Sequence, residues 1–330
     1  MMKKNVALVA GGFTGEAVVS LRSAAQVEES LSKAPYQVYK IIIEKDKWYY
    51  QAADGTVTFV DKNDFSIHVN GEKIKFDCAF IIIHGEPGED GKLQGYFDLI
   101  GLPYTSCDTT TSAITMNKAY SKAIVRDIDE LFTAQSIQLF GIDGYSRAHI
   151  KAKLKLPLFI KPNNGGSSIG MSKVNDWTDL DEAIKKAFAE GSEVLIEEFI
   201  SGREFTVGLY KEKGQIKVLP ITEIKTQKEF FDFEAKYTDG ITEEITPAEL
   251  DVNIIDRVGR IVSKAYQKLN CKGMVRIDFI LEPQQQDFYF IEINTIPGQS
   301  ANSIIPQQVR ATGQSMQDFY SLLIEEALGK

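Results

Sequence analysis

The chain has 330 residues, enough for two or three domains, and its 43% apolar and 25% charged content is that of a globular protein with a large core. A formal net charge of -9 argues against non-specific nucleic-acid binding but leaves room for a local basic pocket. The three cysteines, Cys78, Cys107 and Cys271, have neither metal nor disulfide spacing, and the apolar run after Lys3 and Lys4 is too short for a signal-peptide core; with no long apolar segment following, the expectation is a cytoplasmic protein without membrane spans.

Residues 5–10 read as a buried strand, followed by the turn Gly11-Gly12-Phe13-Thr14-Gly15-Glu16 and a helix to about residue 33. This order begins an open α/β sheet, whose ligands sit beyond the carboxyl ends of the strands. The turn is not G-x-G-x-x-G, so the dinucleotide fingerprint is absent. Glu16 is either a residue favoured by the helix dipole or a receptor for a substrate ammonium group. Residues 37–43 form a second strand, and 47–76 read as short hairpins inserted on the sheet, with Asn70-Gly71 as the clearest turn. A buried strand over 78–83 runs into His84-Gly85-Glu86-Pro87-Gly88-Glu89-Asp90-Gly91 and an amphipathic helix over 92–100. His84 stands at a switch-point position and is structural or functional; Gly-Glu-Asp-Gly is ordinary capping chemistry. Residues 102–106 close a first domain.

Residues 111–126 read as one helix carrying Asn117 and Lys118. A strand over 156–161 leads into a Gly/Ser loop over 162–170. Such a loop can surround phosphate oxygens with N–H groups and hydroxyls, and Lys161 at its root adds a point charge; the ordinary alternative is a solvent-facing hairpin. It is not a Walker A loop, since Gly-Lys-Ser/Thr does not follow. A helix over 177–190 precedes strands over 194–200, 204–210 and 217–225. Residues 226–247 lack a period but contain Phe230, Phe231, Phe233 and Tyr237, too aromatic for disorder, and read as a lid carrying Lys236-Tyr237. An amphipathic helix covers 249–269. Residues 274–281 and 288–298 then alternate apolar and polar positions as two strands. Arg276 and Asp278 share one strand face, as do Glu292 and Asn294. If the strands pair, two carboxylates, an amide and a guanidinium meet: hard oxygen ligands for Mg²⁺ beside a cation able to stabilise negative charge, or else the solvated outer face of a hairpin. Helices over 303–312 and 316–328 end the chain.

Together these pieces resemble, in order and over nearly the whole chain, the D-alanine–D-alanine ligases of the ATP-grasp superfamily. The resemblance rests on Gly11-Gly12-x-Thr14-x-Glu16, His84-Gly85-x-x-Gly88-Glu89-Asp90-Gly91 through Gln94-Gly95, Leu102-Pro103-Tyr104-Thr105 and Lys161-Pro162-x-x-x-Gly166-Ser167-Ser168-x-Gly170. It continues through Glu204-Phe205-Thr206-Val207, Lys236-Tyr237, Arg276-Ile277-Asp278 and Glu292-x-Asn294-Thr295-x-Pro297-Gly298. It implies an α/β multidomain fold: an N-terminal open α/β (pre-ATP-grasp) domain over 1–108, a central ATP-grasp subdomain over 109–196 and a C-terminal one over 197–330, with ATP between the last two. The implied reaction joins two D-alanines through a D-alanyl phosphate, for peptidoglycan precursor synthesis, in a cytoplasmic homodimer.

The implied ligands are ATP and two Mg²⁺ (or Mn²⁺) ions, the latter held by Asp278, Glu292 and Asn294. Lys118 and Lys161 would grip the α- and β-phosphates with Ser168 in the phosphate loop, Lys236 the γ-phosphate, and Glu197 and Glu204 the adenosine end. Glu16 would bind the ammonium of the first D-alanine, with His84 beside it; Ser303 and Ile304 would bind the second. Arg276 and the Gly298 backbone would stabilise the tetrahedral oxyanion, and Ser167 and Tyr237 would hydrogen-bond to Glu16 as the site closes. A tyrosine at 237 implies peptide rather than ester formation. Asn117, where an Asp often precedes the lysine, Arg203, Thr14, Ile296 and residues 299–302 depart from the usual pattern without removing a catalytic group. The alternatives are a related ligase using D-serine or D-lactate as second substrate and a non-catalytic nucleotide-binding regulator; a nicotinamide oxidoreductase lacks its fingerprint.

Overall fold

The computed structural model describes residues 3–166, 169–226 and 242–329. Its N-terminal sheet contains β1 (Lys4–Gly11), β2 (Tyr36–Ile43), β3 (Trp48–Gln51), β4 (Val57–Phe59) and, after the separate hairpin β5 (Ile67–Val69) and β6 (Glu72–Ile74), β7 (Cys78–Ile81). The order is β4-β3-β2-β1-β7, and β1 runs parallel to both β2 and β7. Val6 through Ala10 are completely buried, as a strand covered on both faces requires. The hairpins over 47–76 do extend the sheet through β3 and β4. The β5–β6 turn falls on Asn70 and Gly71, both at positive φ (51° and 82°). Helix α1 (Ala17–Leu31) presents Ser20, Ser23, Ala24, Val27 and Leu31 to the core, and α2 (Lys92–Ile100) follows the loop after β7.

The stretch read as one helix over 111–126 is two helices, α3 (Thr109–Met116) and α4 (Lys118–Val125). Asn117 between them is extended (φ -91°, ψ 105°), and its side-chain oxygen accepts the Tyr120 N–H at 3.0 Å, so it caps α4 rather than continuing α3. The short β8 (Leu131–Phe132) leads to a four-stranded antiparallel sheet of β9 (Ser136–Leu139), β10 (Leu158–Pro162), β11 (Ser172–Val174) and β12 (Val194–Glu198), ordered β11-β10-β12-β9. Helices α5 (Arg147–Lys153) and α6 (Leu180–Phe188) cover it, giving a core that includes Ile150, Ile160, Ile184 and Ile196.

The third sheet contains β13 (Arg203–Glu212), β14 (Gln215–Val218), β15 (Thr222–Thr226), β16 (Thr242–Ile245), β17 (Val275–Leu281) and β18 (Phe288–Asn294), ordered β16-β15-β13-β17-β18-β8 with β14 on β13. The strand expected over 217–225 is thus two strands, β14 and β15. The segment expected as a lid ends in β16, which pairs Thr242 with Thr226; residues 227–241 lie outside the described residues. Helix α7 (Val252–Lys268) buries Val258, Ile261, Val262, Ala265 and Tyr266 in this sheet's core. The last helices, α8 (Ile304–Ala311) and α9 (Met316–Ala327), return to the N-terminal core, where Phe319, Tyr320, Leu323 and Ile324 pack with β1 and β7 residues; the Tyr320 and Phe80 rings meet edge-on at 5.6 Å.

Candidate active site

β17 and β18 pair in the register that brings their polar positions together: Asp278 faces Glu292 and Arg276 faces Asn294. Directly opposed residues on neighbouring strands share a face, so the four side chains form one patch. The Arg276 guanidinium forks onto Asp278, Nε to Oδ1 at 2.9 Å and Nη2 to Oδ2 at 2.8 Å. Asn294 Nδ2 donates to Asp278 Oδ2 at 3.1 Å, and Thr206 on β13 donates its hydroxyl to Oδ1 at 2.5 Å. Burial opposes the charge of Arg276, but the adjacent Asp278 carboxylate prevails and raises its pKa further. Glu292 pairs with Lys118, the first residue of α4, at 3.1 Å. This patch is no solvated hairpin surface: Asp278 is buried, and β13 and α4 reach it from both sides.

The patch opens into a cavity of about 780 Å³ between the second and third sheets. Lys118, Lys122, Lys161 and Glu197 line it together with Glu204, Arg276, Asp278 and Glu292. The break at Asn117 turns Lys118 inward, where its Nζ also donates to the Gly165 carbonyl at 2.6 Å. One turn later, Lys122 contacts one oxygen of Glu197 while Lys161 takes the other at 2.6 Å. Burial would raise the pKa of Glu197, but the two ammonium groups hold it down to about 2. Two cations share one anion here, and burial pushes Lys122 down to about 8 despite Glu197. Phe159, Met171, Ile200 and Tyr289 give the cavity apolar walls.

At the end nearest the first sheet, Glu16 precedes α1 and reaches between two glycines. A Cβ on Gly85 would lie 2.8 Å from Glu16 Oε2, and one on Gly166 would lie 2.9 Å from Oε1. The loop after β10 therefore approaches the first sheet so closely that a side chain at either glycine would displace the Glu16 carboxylate. His84 is buried and does not line the cavity. Its Nδ1 meets the Ile296 carbonyl at 2.8 Å and its Nε2 the Ser23 hydroxyl at 3.3 Å, and burial lowers its pKa to about 4, so the ring is neutral. Glu89 takes the Gly85 N–H at 2.7 Å and the Ile296 N–H at 3.3 Å; burial, then the charge of Glu16, raise its pKa to about 8. Gly298 lies against Ser303, whose Oγ is 3.0 Å from the position of an added Cβ. Ser303 precedes α8 and shares a hydroxyl contact with Ser300 at 2.7 Å, while the next residue, Ile304, lines the cavity.

Of the residues singled out in the sequence, Glu16, Lys118, Lys161, Glu197, Glu204, Arg276, Asp278, Glu292 and Ile304 line one cavity. Asn294 joins them through Asp278, and His84, Gly298 and Ser303 sit in the layer behind. Ser167, Ser168, Lys236 and Tyr237 lie outside the described residues. Lys122, Thr206 and Glu89 were missed. Glu89 and Thr206 stood in motifs that carried the resemblance but were given no role, and Lys122 carried a local signal, standing four residues after Lys118 on one helix face.

The residues fit the ligands that the resemblance implies. Among the described residues no group of three or more His, Cys, Asp or Glu side chains could hold a metal ion. The donors on the patch are two carboxylates and an amide, and Mg²⁺ characteristically takes one or two carboxylates and completes its shell with substrate phosphates and water. The cavity lies within the ~300–1,000 Å³ usual for small-ligand sites and pairs apolar walls with three lysines, as a base and a polyphosphate require.

Two family models match the chain, one described as D-ala D-ala ligase N-terminus over residues 5–107 and one as D-ala D-ala ligase C-terminus over residues 137–325. The D-alanine--D-alanine ligase of Parabacteroides distasonis is 45% identical over 327 residues, covering 99% of this chain and 98% of that protein. Among solved structures, the VanG D-Ala:D-Ser ligase from Enterococcus faecalis superposes with a TM-score of 0.88 at 30% identity, covering 98% of this chain and 99% of its own. The D-alanyl-alanine synthetase A from Vibrio cholerae gives 0.88 at 25% identity over 100% of both chains.

Proposed function

The chain belongs to the D-alanine–D-alanine ligase family, and from that premise we propose that it joins two D-alanine molecules into D-alanyl-D-alanine with cleavage of ATP, for peptidoglycan precursor synthesis. The observation that carries this reading is the union, in one cavity, of a carboxylate–amide–guanidinium patch with three lysines.

A carboxylate oxygen of the first D-alanine attacks the γ-phosphorus of ATP, the bridging P–O bond breaks, and ADP leaves. The amine of the second D-alanine then attacks the carbonyl carbon of the acyl phosphate; a C–N bond forms, the amine loses its proton, and phosphate departs. Glu16 holds the first ammonium group, and neutral His84 braces the adjoining loop through Ile296. Arg276 and the Gly298 N–H meet the oxyanion that develops at the carbonyl. Lys118 and Lys161 bind the phosphates, joined by Ser168 and Lys236 from outside the described residues; Glu197 and Glu204 bind the adenosine end. Two Mg²⁺ or Mn²⁺ ions held by Asp278, Glu292 and Asn294 would neutralise phosphate charge. Ser303 and Ile304 hold the second D-alanine, and Ser167 and Tyr237 join Glu16 on closure. The three units over 1–108, 109–196 and 197–330 each contribute one wall of the site. No helix among the described residues is long and apolar enough to cross a membrane. The reading as a family ligase carries with it a cytoplasmic homodimer acting on small molecules rather than nucleic acid.

The test is turnover of ATP with D-alanine alone, D-alanine plus D-serine, and D-alanine plus D-lactate, with products identified by mass. D-alanyl-D-alanine is the expected main product at neutral pH. A preference for either mixed product would transfer the chain to the second-substrate variants of the family.

A further inference from the structure

We propose that Asn117, Asn163 and Glu193 form a partly buried polar knot that positions Lys118 and the root of the 162–170 loop for nucleotide, and that with these partners in this chain residue 117, where an Asp often stands in the family, closes the knot as an amide. The inference rests on the ATP-site reading above and adds positioning residues to it.

Three amide nitrogens converge on Oε2 of Glu193: Gln138 Nε2 at 2.6 Å, Asn163 Nδ2 at 2.7 Å and Asn117 Nδ2 at 3.2 Å. They come from different elements. Asn117 stands in the break between α3 and α4, Asn163 just after β10, Gln138 on β9 and Glu193 just before β12. Asn163 is completely buried and Asn117 nearly so. The Asn163 backbone carbonyl accepts the Lys118 N–H at 3.1 Å, and its side-chain oxygen accepts the Ala119 N–H at 3.0 Å. Its own N–H donates to the Glu193 carbonyl at 2.9 Å. The first turn of α4 is thereby tied to the loop root by two hydrogen bonds, and the Lys118 ammonium reaches Gly165, two residues further along that loop.

The chemistry of residue 117 follows from its two neighbours. Its oxygen is committed to capping Tyr120, so the other terminal atom faces the Glu193 carboxylate and must donate. An aspartate would keep the cap but place a second carboxylate oxygen about 3 Å from Glu193 in a partly buried site, where two like charges cannot both stay ionised without cost. The strain would be relieved by moving α4 away from the loop root, and Lys118 would move with it.

The test compares Asn117→Asp, Glu193→Gln and the double variant with the unaltered protein. ATP affinity is measured by calorimetry without D-alanine, KM for each substrate by turnover, and Tm without ligand. Asn117→Asp is expected to raise both the Kd and the KM for ATP about tenfold, the effect of one uncompensated polar contact of ~1.4 kcal/mol. KM for D-alanine stays within about twofold, because Glu16 is not part of the knot. Adding Glu193→Gln brings the Kd back to within about threefold of the original, since only one ionised carboxylate then remains at the contact while the amide oxygen at position 193 still accepts from Asn163 and Gln138. If Asn117→Asp does not fold, Asn117→Ala, which removes the donor without adding charge, raises the Kd about threefold. An unchanged Kd in the single variants, or a double variant no better than Asn117→Asp, overturns the knot. Failure of the unaltered protein to bind ATP would instead overturn the reading of the site itself.

Discussion

Replacing Glu197 with Gln removes the carboxylate that both Lys122 and Lys161 grip. The held-down pKa of Glu197, from 4.5 to about 2, corresponds to about 3 kcal/mol at ~1.36 kcal/mol per pH unit, because the group is buried and its partners are close. A folded-state pKa below the unfolded one gives stabilisation that is complete above pH 4.5 and is lost as pH falls towards 2, so the whole of it is present at neutral pH. Breaking a buried pair by removing one partner costs about 3–5 kcal/mol, in agreement with that figure. With an m-value of about 3 kcal/mol/M, the urea midpoint of the variant should drop by roughly 1 M at about pH 7. The deficit should shrink at about pH 9.5, because Lys122, pushed down to about 8 by burial in the unaltered protein and lower still without Glu197, is then neutral in both proteins, so the unaltered protein has also lost that half of the pairing. Urea unfolding followed by circular dichroism at the two pH values measures both effects. A midpoint equal to that of the unaltered protein, or a deficit of the same size at both pH values, would refute the charge argument.

Gly166→Ala should raise KM for D-alanine at least about tenfold, because its Cβ would lie 2.9 Å from Glu16 Oε1 and displace that carboxylate; a KM within about twofold counts against Glu16 as the ammonium receptor. Asp278→Asn removes the anion that holds Arg276, Thr206 and Asn294, and should lower kcat by about 10²–10³ and raise the Mg²⁺ concentration needed for half-activity; rates measured across a Mg²⁺ series decide it. His84 is neutral in the fold and titrates at about 4 against an ordinary 6.5, so the unfolded chain binds a proton first and stability should fall as pH drops from 6.5 towards 4. His84→Gln should flatten that slope, and urea midpoints at about pH 5 and about pH 7 read the difference.

The strands β17 and β18 were legible because their alternation is local and period two fixes which side chains share a face. Once paired as neighbours, they brought Arg276, Asp278, Glu292 and Asn294 together without further information. Asn117 was not legible as a break, since an Asn inside a helical pattern reveals its cap only when Glu193 and Asn163 arrive from other elements to hold it. β16 was hidden because its pattern is weak and its partner, β15, lies across residues 227–241. Glu89 looked like a helix-start acid, yet its carboxylate turns inward to the N–H groups of Gly85 and Ile296, the latter more than 200 residues away. The return of α9 to the first core has the same origin: Phe319 and Tyr320 read as an amphipathic helix, and nothing local says which sheet that helix covers.

In the proposed reaction the first D-alanine is activated by phosphorylation of its carboxylate within this cavity. The direct measurement is turnover of ATP with D-alanine labelled with ¹⁸O in both carboxylate oxygens, followed by mass analysis of the phosphate and the peptide. ADP is the expected nucleotide product, and each phosphate formed should carry one ¹⁸O from the carboxylate, with one ¹⁸O left in the new peptide carbonyl. Unlabelled phosphate, or AMP and pyrophosphate as the nucleotide products, would contradict it.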